Sequence, residues 1–219
     1  MEQAVLTNGR PLPQPAAIRI LGQVISWIFH PLFVPVYVIA FFLYIHPFAF
    51  AGFPPRVKMF TLLSVAFNIA FLTGFAVFLM KQLGLIQSMF LKTQRERIIP
   101  YTVAIIFYFW TWYVFHNKPD YPPASEKFML GAFLAVCGAW MFNIRFKISM
   151  HTTAMGAMVV FFLLFTFTDT YPSGAYIAIP ILIAGLVTTA RFIVSDHHPV
   201  EIYAGLIVGA LCQLVAWWV

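Results

Sequence analysis

Residues 174–219 read GAYIAIPILIAGLVTTARFIVSDHHPVEIYAGLIVGALCQLVAWWV. Two apolar runs, 174–193 and 200–219, flank one short polar segment in this stretch. Each run has about the 20 residues that a helix needs to cross the hydrocarbon core of a bilayer. The stretch therefore predicts two membrane-spanning helices, joined at one membrane surface by a connection that carries Arg191 and His197.

The rest of the chain has the same apolar character. It has 219 residues, of which 62% are apolar or aromatic and only 9% are charged, and its mean hydropathy is +0.87. Because a soluble domain carries about 25% charged residues, this composition excludes an ordinary soluble enzyme as well as a disordered or fibrous protein. The apolar runs lie at 22–45, 59–80, 101–116, 128–144, 152–168, 174–193 and 200–219.

These runs predict an all-α fold, a polytopic membrane helical bundle with about six or seven transmembrane spans. The runs 101–116 and 128–144 are short for a span, so six full spans plus a partly buried segment stay an alternative. Residues 1–17 are polar and rich in proline, which predicts an irregular tail. We expect a single transmembrane domain over 18–219.

Proline and histidine residues mark several predicted helix ends. Pro31 and Pro35 fall within the first apolar run and should bend its helix. His30, His46 and His116 lie at or near span ends, where packing at the membrane interface is the expected role. The two cysteines both lie inside apolar runs, which predicts buried free thiols rather than a disulfide.

Charged and polar residues gather in three connections between the apolar runs. These connections are the segments 92–101, 145–153 and 191–201. With seven spans, all three emerge at the same membrane surface, so we expect them to form one site. Basic residues lie at both predicted surfaces, and the positive-inside rule therefore leaves the orientation of the protein open.

The predicted site combines cations, imidazoles and one carboxylate. Its lysine and arginine side chains would repel one another unless an anion lay among them, and guanidinium groups suit phosphate oxygens. Histidine acts as a nucleophile or a proton donor in such sites. Glu201 follows His197 by four residues and can orient its ring, because Pro199 predicts a helix start between them. These side chains predict phosphoryl transfer on a membrane lipid, with no role for nucleic acid.

Two motifs in these connections have a recognisable spacing. One is Ala190-Arg191, five residues, His197, three residues and Glu201, and the other is Ile148-Ser149-Met150-His151. They resemble motifs of the type 2 phosphatidic acid phosphatase superfamily, the membrane relatives of vanadium haloperoxidases. In that family the third motif is Ser-Arg, five residues, His, three residues and Asp, and the second motif is Pro-Ser-Gly-His.

The first motif of that family is Lys, six residues and Arg-Pro, and this chain matches it in part. Lys92 and Pro100 have the right spacing, but Ile99 stands where the family has arginine. Arg97, two residues earlier, is expected to replace that arginine from a rewound loop. The likeness covers roughly 92–210, which would be the phosphatase-like core of the domain.

The resemblance implies a role for each matching residue. His197 would be the nucleophile that takes the phosphoryl group, Glu201 would orient it, and His151 would be the general acid. The residues that would bind the substrate phosphate are Lys92, Arg97, Arg191 and Ser149. The implied protein is an integral-membrane lipid phosphate or diphosphate phosphatase that forms a phosphohistidine and needs no metal or other cofactor.

Other functions remain open at this point. The same motifs suit a lipid phosphotransferase, and their departures from the family pattern suit a non-catalytic relative that binds or transports lipid phosphates. A metalloenzyme is a third class, with His151, His197, His198, Asp196 and Glu201 as its candidate ligands. In each case we expect a multi-pass protein, with the cell (inner) membrane as its location, and the sequence does not predict an oligomeric state.

Overall fold

The computed structural model describes residues 14–88, 93–194 and 197–219. Within these ranges the chain forms eight helices and no strand, so the predicted all-α fold is confirmed. The helices are α1 (Ala16–Ile28), α2 (Val34–Ile45), α3 (Pro55–Gln82), α4 (Gln94–His116), α5 (Pro123–Asn143), α6 (Met150–Thr168), α7 (Ala175–Val194) and α8 (Pro199–Trp218). The six helices α3 to α8 are long and apolar enough to cross a membrane, as expected of a multi-pass membrane protein.

The first apolar run is broken, not merely bent. Its helix stops at Ile28 and resumes at Val34, so α1 and α2 are both shorter than the six long helices. Two prolines cause the break: Pro31 has no N–H to donate in the intervening turn, and Pro35 lies in the first turn of α2, where a proline is tolerated. The predicted first span is therefore two short helices. Most of the predicted tail, residues 1–13, lies outside the described residues.

The two apolar runs that looked short belong to full-length helices. α4 begins seven residues before its apolar run, because Thr93 and Glu96 form a capping box that satisfies the first backbone amides. α5 begins at Pro123, a residue suited to the first helical position. Residues 94–100 are therefore helical, and both runs belong to full-length helices. The six long helices agree with the alternative of six full spans, but the short segment is the first apolar run and not one of these two.

Glycines allow α6 and α8 to cross in close contact at the centre of the bundle. A Cβ atom at Gly209 would overlap the backbone of Thr153, and one at Gly205 would lie 2.8 Å from the carbonyl oxygen of Ser149. Small residues four apart on one helix commonly permit such an approach in membrane bundles. This contact places the beginning of α6 beside the beginning of α8.

Polar pairs hold the opposite end of the bundle. The ring of His46 accepts the Ala49 N–H at Nδ1 (2.9 Å), so its Nε2–H donates to the Asp169 carboxylate at 3.0 Å. Both side chains are buried. His116 and Glu126 form a second pair at 2.7 Å, which is largely exposed. Elsewhere in the bundle the two cysteines are free, as predicted, but they are half-buried and not buried.

Candidate functional site

Five helix ends meet at one end of the bundle. The beginning of α4 contacts the beginning of α6, because Arg97 Nη1 donates to the Ile148 carbonyl at 2.9 Å. The beginning of α6 contacts that of α8 through the Ser149 N–H and the Glu201 carbonyl at 3.3 Å. The last turns of α1 and α7 join them through Ser26. The described parts of the three polar connections therefore meet at one end of the bundle, as expected.

His197 and Glu201 form a pair at the start of α8. Nδ1 of His197 lies 2.9 Å from Oε2 of Glu201, which also accepts the backbone N–H of His198 at 3.1 Å. Because a carboxylate accepts hydrogen bonds, the proton of the neutral ring is on Nδ1 and the lone pair is on Nε2. Pro199 occupies the first turn and His198 the N-cap, so the helix start fixes the separation of the two side chains.

The surroundings of His197 keep its imidazole neutral. Its side chain is only 4% exposed. Burial and the charge of Arg97 together lower the pKa of His197 to about 4, Arg191 adds to this effect, and the hydrogen bond to Glu201 opposes it. At neutral pH the ring therefore has an unprotonated Nε2, which is the form that a nucleophile requires.

His151, in the first turn of α6, is held by the last turn of α1. Its Nε2 lies 3.1 Å from the carbonyl oxygen of Ser26. A carbonyl can only accept, so Nε2 carries the proton in the neutral ring, and Nδ1 is left with the lone pair. Any further proton on His151 must therefore bind at Nδ1, and Nδ1 is the atom from which this ring could act as an acid.

Arg97 and Arg191 are the two described cations close enough to act on His197. Arg97 is 6% exposed and belongs to the first turn of α4, so the sequence expectation of a rewound loop is wrong: the helix itself delivers the guanidinium. Arg191, in the last turn of α7, donates from Nη1 to the Ser26 hydroxyl at 3.4 Å. The positive charges of both arginines act on the His197 ring. These charges would attract an anion to the space beside that ring.

Of the two remaining predicted phosphate ligands, only Ser149 lies within the described residues. Ser149 is fully buried, its hydroxyl has no hydrogen-bond partner among the described residues, and its backbone N–H is occupied by Glu201. Its carbonyl oxygen accepts from Thr152 and Thr153, so Ser149 mainly shapes the start of α6. Lys92 lies outside the described residues.

Two residues of the site were not anticipated from the sequence. Ser26 contacts both His151 and Arg191, and His30 lies against His151 with ring centroids 5.3 Å apart and planes at 82°. His30 was expected to pack at the membrane interface, but the break after α1 turns it into the site. The only signal in the sequence was a histidine beside a helix-breaking proline, which does not reveal a partner far along the chain.

An apolar cavity adjoins the site inside the bundle. Its volume is about 50 Å³, well below the range of about 300–1,000 Å³ usual for ligand pockets. Its lining includes Pro31, Tyr101 and Met150, which neighbour His30, Arg97 and His151 in sequence or by one helical turn. The rest of the lining is almost wholly apolar, so the site borders the apolar interior of the bundle.

The described part of the chain contains no group of three histidine, cysteine, aspartate or glutamate side chains placed to hold a metal ion. The imidazoles instead share the site with guanidinium groups, which repel a cation. This donor set fits an anion better than a divalent metal.

Comparisons of the chain with known proteins give no relative. No protein-family model matches the chain, and neither the curated proteins nor the solved structures yield a match. The interpretation of the site therefore depends on its own geometry and on the spacing of its motifs.

Proposed function

We propose that this protein is an integral-membrane phosphatase that hydrolyses a lipid phosphate or diphosphate through a phosphohistidine, without a metal ion. The observation that carries the proposal is the hydrogen-bonded pair of His197 and Glu201, flanked by Arg97 and Arg191. A buried imidazole with a free Nε2 near two guanidinium groups is suited to attack a bound phosphoryl group. The motif resemblance to the type 2 phosphatidic acid phosphatase superfamily supports the same reaction.

His151 enters the first step as the imidazolium, protonated at both nitrogens, a form that the bound phosphate anion favours. Nε2 of His197 attacks phosphorus and the bond from phosphorus to the leaving oxygen breaks. The electron pair of that bond goes to the leaving oxygen, which takes the proton from Nδ1 of His151. Glu201 stabilises the positive charge that develops on the His197 ring, and the two guanidinium groups stabilise the negative charge on the phosphoryl oxygens. The products of this step are phosphohistidine and the protonated leaving group.

In the second step, water attacks the phosphohistidine. His151, now neutral, accepts a proton from this water at Nδ1, and the phosphorus–nitrogen bond breaks. Its electron pair returns to Nε2 of His197, and inorganic phosphate leaves. The sequence of proton transfers restores both histidines to their starting forms.

A lipid is the proposed substrate because the site opens into apolar surroundings. The cavity next to the histidines is lined by apolar side chains and lies within a bundle whose long helices are suited to a bilayer. A hydrocarbon chain in the bilayer beside these helices would leave its phosphate among the histidines and arginines at the membrane surface. We propose the cell (inner) membrane as the location.

Phosphate release from a panel of lipid phosphates and diphosphates, by detergent-purified protein with chelator present, tests the proposal. We expect release by the wild type and none by His197→Gln. Arg97→Gln should lower kcat/KM at least tenfold, because hydrogen bonds to charged groups contribute about 1.5–3 kcal/mol. Arg95→Gln is the matched control, since Arg95 is exposed and only two residues away.

Three results would contradict the proposal: no release from any member of the panel by folded protein, release that the chelator abolishes, or full activity in His197→Gln. Full activity in Arg97→Gln together with loss in Arg95→Gln would overturn the assignment of the phosphate-binding arginine on α4.

A further inference from the structure

His30 is a third imidazole of the site, and the proposed reaction does not use it. It lies in the turn between α1 and α2, with its ring edge-on to that of His151 at 5.3 Å between centroids. The charge of Arg191 acts on both rings. His30 is therefore part of the charged cluster and not of the lipid-facing surface.

The hydrogen bonds of His30 define which of its nitrogens can bind a ligand. Nδ1 accepts the backbone N–H of Leu32 at 3.4 Å. In the neutral ring the proton is then on Nε2, which makes Nε2 a donor. No described residue accepts from it, so this N–H is available to an anion.

His30 lies on the His151 side of the reacting centre. Its ring contacts that of His151, whereas the charge of Arg97 acts on His197. Arg191 acts on all three rings. Because His151 is the proposed proton donor to the leaving oxygen, His30 is next to the leaving group.

We infer that His30 binds a second phosphoryl group through Nε2, and that the preferred substrate of this site is a lipid diphosphate. The inference rests on the proposed function and names its substrate class. His197 takes the terminal phosphoryl group, the bond from the terminal phosphorus to the bridging oxygen breaks, and that oxygen receives the proton of His151. The leaving group is the lipid monophosphate, whose anionic oxygens His30 and Arg191 bind. An alcohol leaving group has no such oxygens.

Two substitutions separate the functions of the His30 ring. His30→Asn keeps an acceptor at the position of Nδ1 for the Leu32 N–H but loses the donor at Nε2. His30→Gln places an amide N–H near the position of Nε2. His116→Gln is the matched control, because it removes an exposed histidine from the opposite end of the bundle.

The first measurement is the ratio of kcat/KM for farnesyl diphosphate to kcat/KM for farnesyl monophosphate, which carry the same hydrocarbon chain. We expect a ratio above one in the wild type and in His116→Gln. The ratio should fall about 10- to 100-fold in His30→Asn, the range for losing a hydrogen bond to a charged group, and recover at least in part in His30→Gln. Equal losses on both substrates, or a wild type that prefers the monophosphate, would overturn the inference.

The second measurement does not require turnover. Methylenediphosphonate and methylphosphonate, which resist hydrolysis, are titrated into the detergent-purified variants by calorimetry. Selective loss of methylenediphosphonate affinity in His30→Asn supports the inference even if no substrate is hydrolysed, in which case only the proposed function fails. Equal affinities for methylenediphosphonate in the wild type and His30→Asn would overturn the inference even if the protein is an active phosphatase.

Discussion

The titration of His197 in the ligand-free protein measures the electrostatic environment of the site directly. Its pKa is lowered from 6.5 to about 4, first by burial and then by Arg97. At pH 5.5 a group with that pKa is protonated in about 3% of molecules, whereas a histidine of ordinary pKa is protonated in about 90%. Two substitutions should move the midpoint in opposite directions. Arg97→Gln raises the pKa by removing a cation, and Glu201→Gln lowers it by removing the carboxylate that stabilises the protonated ring.

Nuclear magnetic resonance of protein labelled with ¹⁵N-histidine can follow this titration in detergent. The chain has six histidines, and the signal that disappears in His197→Gln identifies the residue. The control for Arg97→Gln is Arg56→Gln, which removes a cation at the opposite end of the bundle. Added phosphate should raise the midpoint, because an anion favours the protonated ring.

A wild-type midpoint at or above 6.5 would refute this description of the site. So would an equal effect of Arg97→Gln and Arg56→Gln, because the shift would then reflect the net charge of the protein and not a neighbouring guanidinium. A midpoint that rises in Glu201→Gln would show that the two side chains are not paired.

The remaining predictions concern stability. Thermal unfolding in detergent should show that Gly209→Ala lowers the melting temperature by several degrees, because the added Cβ meets backbone atoms and overpacking costs about 1–3 kcal/mol. The control Gly185→Ala adds a Cβ in open space and should be neutral or slightly stabilising. Asp169→Ala should also lower the melting temperature, because it leaves the buried imidazole of His46 without its partner. Glu126→Ala breaks the largely exposed pair with His116 and should change the melting temperature little. Equal effects of the two substitutions would contradict this difference in burial. Burial and a nearby cation lower the pKa of His30 to about 4, below its unfolded value of 6.5, so the folded state loses stability as pH falls from 6.5 towards 4. The loss at pH 5 is about 2 kcal/mol for this group, and the melting temperature of His30→Asn should fall less between pH 7 and pH 5 than that of the wild type.

The sequence predicts the fold class because the bilayer constrains it strongly. Runs of about 20 apolar residues have few structures available in lipid, and the spacing of these runs reveals the helices. Helix starts were less predictable. Hydropathy cannot detect α4 before residue 101, since the capping box of Thr93 and Glu96 stabilises a helix through polar residues.

The site is predictable where its contacts are local. The pairing of His197 with Glu201 follows from their separation by one helical turn and from a proline that starts the helix. Arg97 could be proposed only as a replacement for a missing motif residue, and its position depended on whether the segment was helical. The contacts of Ser26 and His30 join residues far apart in the chain, and no local pattern encodes them.

The break in the first apolar run explains how these distant residues reach the site. In a continuous helix the Ser26 carbonyl would accept the backbone N–H of His30, four residues later. Because the helix ends at Ile28, the His30 N–H bonds weakly to the Trp27 carbonyl at 3.4 Å, and the Ser26 carbonyl is left to accept Nε2–H of His151. The same break turns the His30 ring towards His151. The prolines that interrupt this run therefore leave the Ser26 carbonyl free to hold His151, and they bring His30 beside it. The break that shortens the first helix is thus required to assemble the site.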